Sequence, residues 1–171
     1  MRYLAHRHGL LAAIFAAGLS LSTSAPASTP SLLWSGAKQV SVHCLAQSKT
    51  VPDAAAFEKA LCGRVRALAG RGARLPVKQI ELGDPEFVSP GTIVLLVHAS
   101  VERAANGRTI AFTIRPYSAA RTDEIYFGTA PRVVTTRAAP AADGQLDGAL
   151  RAALAEVLPW QQRTDPGDRR L

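Results

Sequence analysis

Signatures of catalysis are scarce in this sequence. It contains no Gly-x-Ser-x-Gly motif, the turn that exposes the serine nucleophile of α/β-hydrolases. The loop AGRGAR at residues 69–74 lacks the spacing of a phosphate-binding P-loop and is not followed by a helix start. The sequence therefore excludes a recognisable nucleophile-elbow hydrolase and a P-loop nucleotidase, and no cofactor is expected.

Histidine is also scarce, since only His43 and His98 follow residue 27. His43 precedes Cys44, which suggests a metal site, but neighbouring residues of a strand point to opposite faces and cannot grip one ion. No metal site is therefore predicted. His98 and Glu102 form an alternative acid–base pair, because a nearby carboxylate orients an imidazole for proton transfer. A solvated sheet face explains the same two residues without catalysis.

Long hydrophobic runs are missing after the first part of the chain. Two arginines precede an uncharged apolar run at 9–21, and APA at 25–27 offers a small-x-small cleavage site. This pattern is typical of a secretory signal peptide, residues 1–27. With no second long run, the mature chain is not expected to span a membrane. Its first cysteine, Cys44, is too distant to carry a lipid, so we expect a free exported protein, periplasmic in preference to secreted.

Aromatic residues make up only 6% of the chain, and acidic residues are fewer than basic ones. Removing residues 1–27 takes away two arginines and no acid, so the formal net charge falls from +7 to +5. Arginine supplies 16 of the 20 basic residues, which reflects either GC-rich coding or an anionic partner. Because few aromatics are available to stack on bases and the chain is expected to be exported, nucleic acid is not an expected partner.

Four arginines gather around the end of the first predicted helix: Arg64, Arg66, Arg71 and Arg74. Cations at this position interact favourably with the negative end of the helix dipole. Alternatively, they form a small binding patch for the phosphate groups of anionic lipid or lipopolysaccharide, or for an acidic protein. The sequence leaves both interpretations open.

The stretch from Gly91 to Pro116 predicts a two-strand hairpin. Asn106-Gly107 favours a tight turn because both residues tolerate positive φ angles, and β-branched runs flank the pair. Counting outward from this turn, Val101 faces Phe112, and His98 lies opposite Arg115. Pro116 is expected to end the second strand because it has no amide hydrogen. The residues predicted to share the buried face are Ile93, Leu95, Val97, Ala99, Val101, Ile110, Phe112 and Ile114.

The remaining segments complete the order β-α-β-β-β-β-α. The predicted strands are 38–46, 77–82 and 124–129 continued by 132–136, and the predicted helices are 51–69, with Thr50 as a candidate cap, and 143–158, capped by Asp143. Apolar residues recur at helical spacing in both helices, so each has one face to bury. The expected fold is α+β: a mostly antiparallel sheet of four or five strands with both helices on one face.

One domain fits the length of the mature chain. We expect a lead-in at 28–37, a single domain at 38–160 and a disordered tail at 161–171. Leu32, Leu33 and Trp34 are the lead-in residues expected to dock onto the domain.

Cys44 and Cys62 are predicted to form a disulfide. Cys44 shares a strand face with Val40 and Val42, and Cys62 flanks the apolar stripe of the helix, so the two thiols meet where helix lies on sheet. Oxidising compartments favour the bond. Closing a loop of this size stabilises the fold by about 3 kcal/mol on the chain-entropy model.

The layout resembles small periplasmic modules typified by the N-terminal domain of TolB and related envelope-assembly proteins. The stretches that carry the resemblance are QVSVHCLA, the helix at 51–69, TIVLLVHASVERAANGRTIAFTIRPY, EIYFGT and LDGALRAALAEVLPW. The resemblance implies protein–protein binding in the periplasm rather than catalysis.

The sequence therefore favours a cell-envelope accessory or binding protein over an enzyme. An envelope protein is the expected partner, and the sheet edge at 77–82 is the expected contact, because an unpaired strand can accept another strand. Two alternatives remain: a small hydrolase using His98 with Glu102, and a small-ligand carrier with an apolar cleft between sheet and helices.

Overall fold

The computed structural model describes residues 31–121, 128–136 and 144–162. The elements in these ranges are α1 Ser31–Trp34, β1 Gln39–Gln47, α2 Ala54–Ala69, β2 Val77–Gln79, β3 Thr92–Ala104, β4 Gly107–Tyr117, β5 Arg132–Thr136 and α3 Gly144–Val157, with 3₁₀ helices at Pro85–Val88 and Ala119–Arg121. Apart from the short helix α1, the order of helices and strands is the predicted one, and the α+β class is confirmed.

The strands form one sheet in the order β2-β1-β3-β4-β5. β1 pairs in parallel with β2 and β3, whereas β3, β4 and β5 pair antiparallel. The sheet is therefore mixed, where the sequence predicted a mostly antiparallel one. The first parallel pairing arises because α2 carries the chain back to the starting end of β1, so that β2 runs in the same direction as β1.

Both long helices pack on one face of the sheet, here called the first face. Alternate residues of β1, β3 and β4 meet one stripe of each helix there, as the hydrophobic periodicity predicts. Representative core side chains, all less than 5% exposed, are Val42, Leu95, Val97, Phe112, Ile114, Phe57, Leu61, Val65, Leu146, Leu150 and Leu154. Burying each one contributes about 1.5–3 kcal/mol, so this layer is the main source of stability.

The predicted disulfide joins Cys44 of β1 to Cys62 of α2. The two Cα atoms are 5.6 Å apart, which lies within the usual range for a disulfide. The cysteines are only 4% and 2% exposed, because they lie where the helix contacts the sheet. The bond therefore fixes α2 onto β1 inside the core.

The β3–β4 hairpin has a different register from the predicted one. Its turn residues are Ala105 and Asn106, and Val101 faces Ile110, two residues from its predicted partner. No described non-glycine residue has a positive φ, so Asn106 does not adopt the left-handed conformation that the predicted turn requires. Gly107, at φ 154°, takes the backbone conformation that other residues rarely adopt. Because the shift is two residues, every side chain keeps its predicted face.

Pro116 does not end β4, so that prediction was wrong: it pairs with Leu95, and the strand continues to Tyr117. The main chain of Ile114 faces Thr129, donating to its Oγ1 at 3.1 Å and accepting from its N–H at 2.8 Å. Main-chain groups two residues further on point to the same side of a strand. The missing amide hydrogen of Pro116 therefore faces away from β3 and leaves that ladder intact.

Two predicted boundaries also change. The strand predicted at 77–82 ends at Gln79, after which Ile80 donates its N–H to Val42 at 3.0 Å and the chain leaves the sheet. Thr50 does not cap α2; Asp53 occupies the N-cap position and makes no side-chain capping bond. The loop before α2 is instead held by hydrogen bonds between the Thr50 hydroxyl and β3.

The two ends of the described chain meet at one tryptophan contact. The rings of Trp34 and Trp160 lie 5.3 Å apart at 80°, an edge-to-face arrangement. Trp160 Nε1 donates to the carbonyl of Ala69 at 3.0 Å, and Gln161 Nε2 donates to the carbonyl of Leu68 at 2.7 Å. In the predicted lead-in, Leu33 is buried and Trp34 packs against the core, but Leu32 is 63% exposed, so the prediction that it docks was wrong. The first tail residue, Gln161, hydrogen-bonds to the domain.

Several predicted features lie outside the described residues: the signal peptide at 1–27, the strand at 124–129 except its last two residues, the cap Asp143, and the tail from 163. They stay predictions. Among the helices of the described ranges, none has the length and apolar composition needed to cross a membrane.

Candidate binding surface on the second sheet face

The second face of the sheet, opposite the helices, is covered at one end by the 3₁₀ helix Pro85–Val88. The Glu86 carboxylate accepts hydrogen bonds from Gln39 Nε2 at 2.7 Å and Ser41 Oγ at 3.1 Å. It also forms an ion pair with Lys78 Nζ. Because Ser41 is fully buried, these contacts close this end of the second face.

His43 lies under the same 3₁₀ helix. Its ring centroid is 5.1 Å from that of Phe87, and its Nδ1 is 3.3 Å from the carbonyl oxygen of Ile80. Its neighbour Cys44 is committed to the disulfide on the first face. In the part of the chain that the structure describes, no three metal-ligating side chains gather. The contacts of His43 are therefore those of a packed residue.

No described element covers the other end of the second face. The strand register places two rows of side chains across it: Leu45, His98 and Thr113, then Gln47, Ser100, Ala111 and Val133. An open groove of about 470 Å³ lies over these rows except at Val133, and it reaches Pro131. We call the seven residues of the two rows the open patch.

The open patch is partly apolar and contains no Asp, Glu, Lys or Arg, although the chain as a whole is basic. Leu45 is 44% exposed and Val133 is 67% exposed. The intervening residues are alanine, histidine and neutral polar side chains, with no Asp, Glu, Lys or Arg. Depletion of charge with apolar groups left in contact with water is characteristic of the centre of a protein–protein interface.

The structure does not bring His98 and Glu102 together. They are four residues apart on one strand, a distance of about 13 Å at ~3.3 Å per residue. Glu102 Oε2 accepts instead from Thr50 Oγ1 at 2.5 Å. His98 is exposed and pairs with Thr113, not with Arg115 as predicted. The two residues therefore do not form an acid–base pair.

Glu102 joins the hairpin to the loop that precedes α2. The hydrogen bond from Thr50 is the largest cause that lowers the pKa of the Glu102 carboxyl, followed by the N–H of Lys49. Thr50 Oγ1 also accepts from the N–H of Arg103 at 2.8 Å, so this hydroxyl bridges two residues of β3. The arrangement fixes the loop in place and keeps the carboxylate ionised.

The four predicted arginines differ in their surroundings. Arg64 is half-buried, and its Nε lies 3.3 Å from Asp147 Oδ1 on α3. Arg66, Arg71 and Arg74 are exposed. Arg64 therefore joins the two long helices, and the other three are the ones available to an anionic ligand.

Sequence reasoning missed both the open patch and the contacts of Glu86. Asp84 accepts from the Glu86 N–H at 2.9 Å, a local turn contact that does not indicate where the Glu86 side chain points. The signal for Glu86 is the alternation QVSV at 39–42, which directs Gln39 and Ser41 to the second face. Two polar side chains there predict a polar partner above the sheet.

No family model matches the sequence. No curated protein sequence is similar to it. The fold is similar to the PelC dodecamer of Paraburkholderia phytofirmans in space group P6, with a TM-score of 0.46 and 17% identity over 79% of this chain and 93% of that one. A single-substitution variant of the PelC dodecamer from the same organism, in space group C2, gives a TM-score of 0.41 and 16% identity over 84% and 95%. The resemblance to TolB modules is not tested by these comparisons and stays a prediction.

Proposed function

We propose that this protein is an exported cell-envelope protein that binds another protein through the open patch. The observation that carries the proposal is the uncovered, charge-free pair of rows on the second face. A phosphate-bearing lipid surface would select cations at its contact site, and the patch has none. A neutral, partly apolar protein surface is the partner that its chemistry fits.

Export is supported by the buried disulfide, because such bonds persist in oxidising compartments and are rare in the cytosol. The N-terminal signal pattern points in the same direction. A periplasmic location stays part of the proposal.

The two alternative functions have less support from the geometry. A hydrolase would need a partner for His98, but Glu102 is committed to Thr50, and the groove beside His98 is open. A ligand carrier would need a cleft between sheet and helices, where fully buried residues such as Leu150 and Leu154 fill the space. Binding at the exposed second face requires neither feature.

The test is cross-linking in native envelope extract, followed by identification of the cross-linked residues. We expect wild-type protein to give one complex with cross-links in the open patch. Leu45→Arg and Val133→Arg should each weaken it about tenfold or more, because each places an unpaired charge in the contact. Leu82→Arg and Val88→Arg are matched controls on side chains that are 82% and 68% exposed outside the patch.

The controls should behave as wild type. Recovery of the wild type as a lone monomer, or an equal loss of the complex in all four variants, contradicts the proposal.

A further inference from the structure

The outer edge of β1 is only half covered. β2 pairs with β1 from Val40 to Val42 and no further. After Gln79 the chain leaves the sheet, so among the described strands only β3 neighbours Cys44 to Gln47. The strand position that β2 occupies beside the first half of β1 therefore holds no described strand beside the second half.

Two residues of this half direct their main-chain groups outward. Val40 donates its N–H to Pro76 at 2.9 Å, and Val42 accepts from Ile80 at 3.0 Å, so these residues point toward β2. Cys44 and Ala46 follow at intervals of two and point to the same side. Their N–H and C=O groups repeat at the spacing that an adjacent strand requires.

A side chain already occupies one of these positions. Glu58 of α2 accepts the N–H of Ala46 at 2.7 Å through its Oε2. The carboxylate oxygen thus lies where the carbonyl oxygen of a neighbouring strand would lie. Within the described ranges, the main-chain N–H and C=O of Cys44 have no corresponding partner toward this edge.

A groove of about 250 Å³ lies at the start of this edge, where His43 and Cys44 of β1 are among its lining residues. One wall is formed by residues of α2, including Glu58, Lys59 and Cys62, and the other by residues 79–81. The start of the edge lies between these two walls, and a single extended segment is the occupant that fits such a groove. Glu58 and Glu81 outnumber Lys59, which favours a segment with neutral or basic side chains.

We propose that an extended segment of a partner protein adds to β1 at Cys44–Gln47, continuing the row that β2 begins. Glu58 is the placeholder: its carboxylate satisfies Ala46 in the free protein and swings to solvent when the segment enters. Strand addition of this kind takes its affinity from main-chain hydrogen bonds. The site depends on the backbone of β1 and not on the side chains of the open patch, so the two proposals can fail separately.

The test uses random twelve-residue peptides displayed on phage and selected on the disulfide-intact protein. Selected peptides are then synthesised with a single N-methyl group at each position in turn. We expect methylation at alternate positions to weaken binding about threefold to tenfold, the loss of one hydrogen bond, and methylation between them to have little effect. Binding should also slow hydrogen exchange at the Cys44 amide.

Glu58→Ala is the decisive variant, because it frees the Ala46 amide without changing the sheet. It should tighten peptide binding several-fold. Glu81→Ala is its matched control, since it removes the same charge from the groove and frees no amide. Methylation effects without the two-residue period, equal tightening by both variants, or Glu58→Ala driving self-association in place of peptide binding would each overturn the proposal.

Discussion

At the scale of single residues, one carboxylate attaches the 3₁₀ helix that covers part of the second face. Glu86 meets Gln39, Ser41 and Lys78, which belong to two neighbouring strands. Without it the 3₁₀ helix Pro85–Val88 would lose its polar attachment to the sheet. The boundary between the covered end and the open patch thus depends on this side chain.

Glu86→Ala should lower the free energy of unfolding by about 1–3 kcal/mol, because it leaves the buried hydroxyl of Ser41 without its acceptor. Urea unfolding measures this change. Glu81→Ala, on an exposed neighbour, should stay within about 0.5 kcal/mol of wild type. Equal effects of the two substitutions would contradict the role assigned to Glu86.

Glu102 gives a dependence of stability on pH. Its folded pKa is lowered, first by Thr50 and then by Lys49, so the unfolded state takes up its proton at a higher pH. The stabilisation is complete above the ordinary carboxyl range and is lost as pH falls through the lowered folded pKa. Wild type should therefore lose stability relative to Glu102→Gln across this acidic window, as measured by thermal unfolding at a series of pH values. Thr50→Val should shrink the difference; an unchanged difference would contradict the assignment.

At the scale of elements, an ion pair and a disulfide fix α2 against its neighbours. The Asp147 carboxylate of α3 forms ion pairs with two arginines. Its Oδ1 lies 3.3 Å from Arg64 Nε of α2, and its Oδ2 lies 3.8 Å from Arg151 Nη2 of its own helix. On the other side, Cys62 of α2 is bonded to Cys44 of β1. The helix is thereby tied to both the sheet and α3.

Arg64→Ala should destabilise the fold by about 1 kcal/mol, because this pair is partly withdrawn from water. Arg66→Ala, on the exposed side of the same helix, should change stability by less than about 0.5 kcal/mol. Chemical unfolding measures the free energy of unfolding of both variants.

If the chain does bind anionic vesicles, replacing Arg66, Arg71 and Arg74 should reduce that binding more than Arg64→Ala does; the reverse order would contradict this division of roles.

The disulfide should contribute about 3 kcal/mol, since it closes a loop with a sequence separation of 18 residues. A variant with both cysteines replaced by alanine should therefore unfold at a lower urea concentration. Because both sulfurs are buried, reductant alone should act slowly until the protein is partly unfolded. Rapid reduction under native conditions would contradict the burial of this bond.

At the scale of the whole molecule, local pattern predicted more than long-range pairing. Periodicity located the helices, assigned strand faces and brought Cys44 to Cys62, because each depends on neighbouring residues. The hairpin register depends on the φ angle of Asn106, which the residue type does not fix. Whether β4 can accommodate Pro116 depends on which side of the strand faces Thr129, and only the tertiary structure determines that.

The candidate site was harder to predict for the same reason. The sequence singled out His98 but assigned it the wrong neighbour across the hairpin. The open patch combines four strands, from Leu45 to Val133, and its rows exist only once β1 is known to run parallel to β3. Glu86 lies 45 residues from Ser41, so no local pattern pairs them.

The meeting of Trp34 and Trp160 has a practical consequence for constructing fusion proteins. That contact lies at the end of the sheet where β1 begins, whereas the open patch lies where β1 finishes, about 26 Å along a nine-residue strand. A fluorescent reporter attached beyond either tryptophan leaves the molecule at the end remote from the patch. The processed protein, tagged after residue 27 or at its C-terminus, should therefore remain competent to engage its partner.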